Sequence, residues 1–536
     1  MGRDPPVKSA ARAPRTTRRT TAALAAAALT APLLLTAAGP ATADRGHGPG
    51  HGDPAKDARK LSRELVRDSS ARGAYRHLER FQRIADANSG HRAAGSPGHD
   101  ASAAYVYKLL RKAGYRVSYD TFRFTYTETL AEKLAVVSPE ARDVDIESMT
   151  YTKSTPEGGV QAALAHVPTD ETTGCEAEDY AAGDYDGKIA LIQRGACSFA
   201  EKQAAAADAG AIGAIIYNNE EGALSGTIGS TDDARIPTGG ITQEEGEKLA
   251  AAADAGEVVV NLEVRELQEE RETRNVIAET RGGKSDNTVM LGAHLDSVTE
   301  GPGINDNASG TAGLLEVALE LAQETRSHPH KQPRNKVRFA LWSAEENGLV
   351  GSEKYVEKLT DAQRENIALY LNFDMIASPN AAQFVYDGDD SDNDGEGPGP
   401  EGSAQLERDI TEFLDRRGEP HEGTDFDGRS DYGPFIEAGI PAGGTFTGAE
   451  GIKTEDQAAK YGGEAGVAYD ACYHSACDDL DNIDMRSFDV NIDVIANAVG
   501  TYAHDQRSLT RPVTKAATEG TAGSGGLHSA HDRARS

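Results

Sequence analysis

The chain has 536 residues, with 86 Asp and Glu against 55 Lys and Arg, and a formal net charge of −31. That length allows more than one folded domain, and a surface this acidic excludes the usual electrostatic attraction to nucleic acid. The acidity names no substrate; its simplest effect is solubility.

The opening reads as a targeting segment. Arg12, Arg15, Arg18 and Arg19 precede the apolar run TAALAAAALTAPLLLTAAG, and Ala41-Thr42-Ala43 supplies a small-x-small cleavage signal. Residues 1–43 are therefore expected to be a secretory signal peptide, cut after Ala43. The hydrophobic pair that usually follows twin arginines is missing after Arg18-Arg19, which favours the general export route. The segment holds six basic residues and one acidic residue, so its removal takes the net charge to −36. No other run is long and apolar enough to span a membrane. The mature protein is expected to be secreted, soluble and monomeric.

Residues 44–70 (beginning DRGHGPGHGDPAKDARK) are charged, with no apolar periodicity evident, and read as a flexible lead or propeptide. From 71 to 135 come a helical pattern, the Gly/Pro loop SGHRAAGSPGHDAS, and a helix carrying Val106, Leu109, Leu110 and Ala113 that Gly114 stops. The strand-like YRVSYDTFRFTY follows. Between 136 and 267 the pattern turns β-rich, with short strands KIALIQRG and AIIYNN around one Ala-rich helix, Glu201 to Ala209. Strand–helix alternation resumes and runs from 268 to 510. The expectation is an α/β domain, with a mixed, largely parallel sheet flanked by helices, interrupted by a β-rich insert. Residues 511–536 are low-complexity and are expected to be disordered. Four cysteines in an exported chain suggest two disulfides, for which three connectivities exist. Pairing Cys175 with Cys197 and Cys472 with Cys477 keeps each couple within one local region.

Chemistry collects where apolar strands stop. In GAHLDSVTEGPGINDNASG, His294 and Asp296 follow the run Val289, Met290, Leu291, and Asp306 follows a Gly/Pro turn. Ser309 then reads as the cap of a helix with Leu314, Val317, Ala318 and Leu321 on one face. KVRFALWSAEENG puts Glu345 and Glu346 after a second strand, NIALYLNFDMI puts Asp374 near the end of a third, and DACYHSACDD places Tyr473 and His474 between two cysteines. Strand ends of an open α/β sheet converge on one crevice. Imidazole and carboxylate donors suit zinc, and two metals need a carboxylate that reaches both. His294, Asp306, Glu346, Asp374 and His474 meet that count, leaving Glu345 to take a proton from the attacking water. Singly each motif is weak; the ordered set, each member closing a strand or a pinned loop, is strong.

These motifs, with GRSDYGPF, GIPAGGTFTG and HRAAGSPGHDASAAYV, resemble the secreted zinc aminopeptidases of peptidase family M28. DGKIALIQRGACSFAEKQAAAADAGAIGAIIYNN resembles the protease-associated (PA) domain that some of them carry as an insert. The resemblance implies a zinc exopeptidase fold holding two zinc ions, with His294 and Asp374 on one, Glu346 and His474 on the other, and Asp306 bridging. It implies that Asp296 orients His294, that Glu345 is the general base, and that Tyr473 donates to the developing oxyanion. Arg429 and Phe446 match positions that shape the substrate pocket. Asp489 and Asp493 match positions where some relatives bind a structural calcium. The substrates would be peptides with a free amino terminus, chiefly those beginning with a large apolar residue.

Other readings predict other sequences. A carboxypeptidase needs a cationic cluster for the substrate carboxylate, and only Arg429 suits. A single-zinc cyclase would not need five ligands, and a non-catalytic ectodomain would be expected to have lost some. Asp390, Asp392, Asp394, Gly395 and Glu401 fit an EF-hand expression. The Gly and Pro within DSDNDGEGPGPE, and the lack of a preceding helix, make a solvated acidic loop the better reading.

Overall fold

The computed structural model describes residues 53–513, apart from 171, 182, 220, 221 and 393–396. The expected signal peptide, most of the expected tail, and Asp394 and Gly395 lie outside the described residues.

Three helices, Pro54–Asp68, Ala71–Asp86 and Pro97–Ala113, come before the first strand. The first is ordered over 54–68, where the sequence predicts part of a flexible lead or propeptide; residues 44–52 lie outside the described residues. Ala58, Leu61 and Leu65 recur at helical spacing, and both leucines are buried in the main core against the helix Met485–Tyr502. The surrounding charges are simply its solvent face. Gly114 ends the third helix at φ 108°, a left-handed conformation that glycine adopts without steric cost.

The peptidase sheet has four parallel strands at its centre. Lys284–His294 pairs with Asn335–Trp342 on one side and Ile367–Phe373 on the other, and Ala442–Phe446 continues beyond. Phe384–Tyr386 runs antiparallel to Ala442–Phe446, with Glu422–Thr424 parallel beyond it, and Val259–Glu279 runs antiparallel to Asn335–Trp342. The sheet is thus mixed and largely parallel, as the alternation of apolar runs implies. Its central strands are unbroken apolar runs because helices cover both faces. The helix Gly310–Ser327 is one of these covers. Ser309 does not cap it. Its hydroxyl donates to the Asn305 carbonyl (2.7 Å), and Asn307 Oδ1 accepts the Gly310 N–H instead (2.9 Å).

Two long strands, Arg116–Ser138 and Val259–Glu279, pair antiparallel from the peptidase sheet out to the insert. The expected insert boundaries at 136 and 267 both fall within this ribbon. The insert has a parallel sheet of its own, Val160–His166, Ile189–Gln193, Gly213–Tyr217 and Thr238–Ile241. Its Ala-rich helix spans Phe199–Asp208, opened by a reciprocal cap between Ser198 and Glu201. A second helix, Gln243–Ala255, was not anticipated from the sequence. Thr242 caps it, but only Gly246, Leu249 and Ala250 are buried, too few to make a visible apolar stripe. Cys175 is bonded to Cys197 and Cys472 to Cys477.

Candidate metal centre

Three neighbouring parallel strands deliver their side chains to one place. His294 ends the central strand and is paired in register with Trp342, the last residue of the next. Three and four residues later come Glu345 and Glu346, and Asp374 directly follows the strand Ile367–Phe373. Asp306 arrives from the turn Ile304–Ser309, and His474 from the loop closed by the Cys472–Cys477 disulfide. Met375 (φ 48°) and His474 (φ 52°) hold left-handed backbone conformations, of the kind that persists where surrounding structure imposes it and that gathers at functional sites.

The two oxygens of Asp306 face different imidazoles. Oδ1 is 3.1 Å from His294 Nε2, and Oδ2 is 3.3 Å from His474 Nε2. Asp374 Oδ1 lies 3.2 Å from His294 Nε2, and Glu346 Oε2 lies 3.0 Å from His474 Nε2. Donors around a tetrahedral zinc sit about 3.3 Å apart. One Nε2–H cannot serve both Asp306 and Asp374, and His294 Nε2, Asp374 Oδ1 and Glu346 Oε1 are buried without a hydrogen-bond partner. Buried polar atoms are ordinarily paired, so this cluster fits binding of a divalent metal. Glu345 Oε2 stands further off, 3.8 Å from His294 Nε2.

The electrostatics agree with a site that wants positive charge. Burial pushes the Glu345 carboxyl well above its usual range; the His294 imidazole opposes this, while Asp374 and Glu346 add to it. Burial, then Asp306, pushes Glu346 up to about 7. Asp306 goes the other way: burial works against its charge, but the two imidazoles hold it well below the usual carboxylate range. Asp296 is fully buried, with neither oxygen hydrogen-bonded, and its Oδ1 is 3.8 Å from His294 Nδ1, beyond hydrogen-bond length.

Around these groups stands a frame whose members sequence reasoning missed. Asp478 accepts the main-chain N–H of Asn305 (2.7 Å) and of Asp306 (3.0 Å) on separate oxygens. Ser430 donates to Asp374 Oδ2 (2.5 Å) and accepts from Asn372 (2.8 Å). Arg92 is fully buried and has its guanidinium on main-chain carbonyls of the metal loop: Leu295, Pro302 (2.8 Å) and Gly303 (2.5 Å). The motif HRAAGSPG contained Arg92, but nothing in it indicated three carbonyls two hundred residues away.

Beside the cluster, the Tyr473 ring stacks on His474 with centroids 3.8 Å apart. Burial holds its phenol protonated well above the ordinary range, against the influence of Arg429. Arg429 donates to the Tyr473 hydroxyl (3.2 Å) and pairs with Glu450 (2.9 Å). Phe446 ends its strand half-buried, stacked with Phe384 at 5.9 Å. Asp489 and Asp493 lie elsewhere, near the first helix. Asp493 is paired with the Arg417 guanidinium, and Asp489 Oδ1 accepts the Ala71 N–H (2.8 Å). Both carboxylates thus have protein partners here, a guanidinium for Asp493 and a main-chain N–H for Asp489. In the acidic loop, Asp387 accepts the main-chain N–H of Asp389 (3.1 Å) and Asp392 (3.0 Å) and so shapes the turn.

Residues 275–499 match peptidase family M28, and residues 160–249 match the PA domain. The chain is 44% identical over 439 residues to leucine aminopeptidase 2 of Trichophyton tonsurans, covering 82% of this chain and 85% of that one. This chain belongs to peptidase family M28. It is also 45% identical over 447 residues to an aminopeptidase of Pseudomonas aeruginosa, covering 81% of each. Among solved structures, the aminopeptidase from Aneurinibacillus sp. strain AM-1 superposes with a TM-score of 0.67 at 28% identity, over 84% of this chain and 98% of that one. BSAP, a zinc aminopeptidase from Bacillus subtilis, superposes with a TM-score of 0.56 at 26% identity, over 80% and 94%. The M28 match takes in the three strand ends, the turn of Asp306 and the disulfide loop of His474.

Proposed function

We propose that this M28 metallo-aminopeptidase is a secreted, co-catalytic dizinc enzyme that removes large apolar residues from the amino terminus of peptides. Aminopeptidase chemistry itself follows from the family. The finer reading is supported chiefly by one observation, the position of Asp306 with one oxygen toward His294 and the other toward His474. In this reading His294 and Asp374 would hold one zinc, Glu346 and His474 would hold the other, and Asp306 would offer an oxygen to each. Bound zinc would lower the pKa of a coordinated water and polarise the scissile carbonyl.

The remaining work falls to side chains. Glu345, whose Oε2 is 3.8 Å from His294 Nε2, takes the proton of the attacking water and delivers it to the departing amine. Its upward-shifted carboxyl is a stronger base than an ordinary carboxylate, which favours taking the proton. Tyr473, kept protonated by burial, donates to the oxyanion as the carbonyl becomes tetrahedral. Arg429 holds that phenol in place and is itself paired with Glu450, which leaves it poorly suited to a substrate carboxylate and counts against a carboxypeptidase. Phe446 offers an apolar wall for the first side chain. Export is supported by the amino-terminal sequence and by two disulfides, and among the described residues no helix is long and apolar enough to cross a membrane.

A panel of peptides beginning with Leu, Phe, Gly, Lys or Glu, each free and amino-acetylated, tests this directly. Single amino-terminal residues should be released, Leu and Phe fastest, and acetylation should stop release. Cleavage of acetylated peptides, or equal rates for Leu and Glu, would contradict the proposal.

A further inference from the structure

The turn that carries Glu345 and Glu346 is held from two sides, one of them outside the peptidase domain. Its two ends are fixed by the ribbon. Asn275 accepts the Ser343 N–H (3.0 Å) and donates to the Gly351 carbonyl (2.8 Å), and Thr273 and Ser343 share a hydrogen bond at 2.6 Å. Between those ends the chain folds back on itself: the Glu345 carbonyl accepts N–H groups from Gly348 (2.8 Å) and Leu349 (2.9 Å). At the tip, the hydroxyl of Tyr151 donates to the carbonyl of Asn347 at 2.9 Å. Tyr151 belongs to the insert, 196 residues earlier in the chain.

Tyr151 is itself rigidly placed. Its backbone lies at φ 66°, a conformation rare for a bulky side chain and kept only where neighbours impose it. Those neighbours are on both sides. Thr150 donates to the Gly226 carbonyl (2.8 Å) and accepts from Ile228 (2.9 Å). Thr152 accepts the Thr238 N–H on its hydroxyl (2.7 Å), and its carbonyl accepts from Gln268 of the ribbon (2.8 Å). The insert sheet and the ribbon together fix the residue whose hydroxyl meets the catalytic turn.

We propose that Tyr151 is a positioning residue for the peptidase reaction: through Asn347 it fixes the turn that presents Glu345 and Glu346, so the insert completes the site's geometry. This rests on the roles given to the two glutamates above. A contact that only gated access would matter for long substrates, whereas one that fixes the base matters for every substrate.

The test is Tyr151→Phe in the full-length protein, which removes only the hydroxyl, assayed on a leucine chromogenic amide and on a long peptide. Losing one neutral hydrogen bond at the base's turn should lower kcat by about 2- to 10-fold. The fall should be equal on both substrates, with KM and zinc content unchanged. An unchanged kcat, a loss confined to the long peptide, or a loss that tracks missing zinc would each overturn the proposal. Glu345→Gln, measured alongside, separates the two readings. If it stays active, the assignment of the base fails. If it is inactive while Tyr151→Phe behaves as wild type, only the role of Tyr151 fails.

Discussion

In the peptidase domain, the parallel strands Lys284–His294, Asn335–Trp342 and Ile367–Phe373 lead into buried imidazole and carboxylate groups. In the insert, Ile189–Gln193, Gly213–Tyr217 and Thr238–Ile241 also run parallel beside helices, but their ends are quiet. Arg194 there donates to Asn218 (2.9 Å), Asn218 donates to the Ala223 carbonyl (3.2 Å), and Thr242 caps the next helix. The strand ends of a parallel sheet provide a place for chemistry. What distinguishes the peptidase end is a cluster of polar atoms left without partners, His294 Nε2, Asp374 Oδ1 and Glu346 Oε1, where the insert strand Val160–His166 ends on one, His166 Nε2.

The two disulfides should divide along the same line. Cys175–Cys197 closes 22 residues of the insert, and Cys472–Cys477 closes 5 residues around His474. By loop entropy, replacing each pair with serine should cost about 3 kcal/mol and about 2 kcal/mol of stability respectively. The insert pair should leave turnover of a leucine amide intact. The short pair, despite its smaller effect on stability, should lower that turnover. Denaturant unfolding and steady-state rates on both variants check this; an activity loss in the insert variant alone would break the comparison.

A smaller change sharpens it. Asp478 and Asp179 do the same local work, each accepting two successive main-chain N–H groups, Asn305 and Asp306 for one, Cys175 and Glu176 for the other. Only Asp478 supports a residue of the proposed metal set, Asp306. Asp478→Asn should weaken zinc binding by about 10- to 100-fold, the usual effect of disturbing a group that orients a ligand. Asp179→Asn should leave zinc binding unchanged in the same competition titration with a chelating dye.

Much of the site was legible because its members interrupt apolar runs. A carboxylate or imidazole after Val289–Leu291, after Phe339–Trp342 or after Leu369–Phe373 stands out, and the structure brings all of them within a few ångströms. The frame was not legible. Asp478, Ser430 and Arg92 act on main-chain atoms or on a ligand's second oxygen, and such partners carry no sequence signature. The helix Pro54–Asp68 escaped because Ala58, Leu61 and Leu65 are sparse among charges. The Arg417 partner of Asp493 was not legible either, because it comes from a distant helix.

The central claim is that the adjacent glutamates do different work: Glu346 holds a metal and Glu345 moves a proton. Zinc counted by elemental analysis on purified Glu345→Gln and Glu346→Ala, beside turnover of a leucine amide, tests it most directly. Glu345→Gln should retain two zinc ions per chain while kcat falls by about 10²- to 10⁴-fold, the usual cost of losing general-base assistance. Glu346→Ala should lose one zinc together with its activity. If Glu345→Gln loses a zinc while Glu346→Ala keeps two, the roles are reversed; if both keep two zinc ions and near-normal turnover, the two-metal account is wrong.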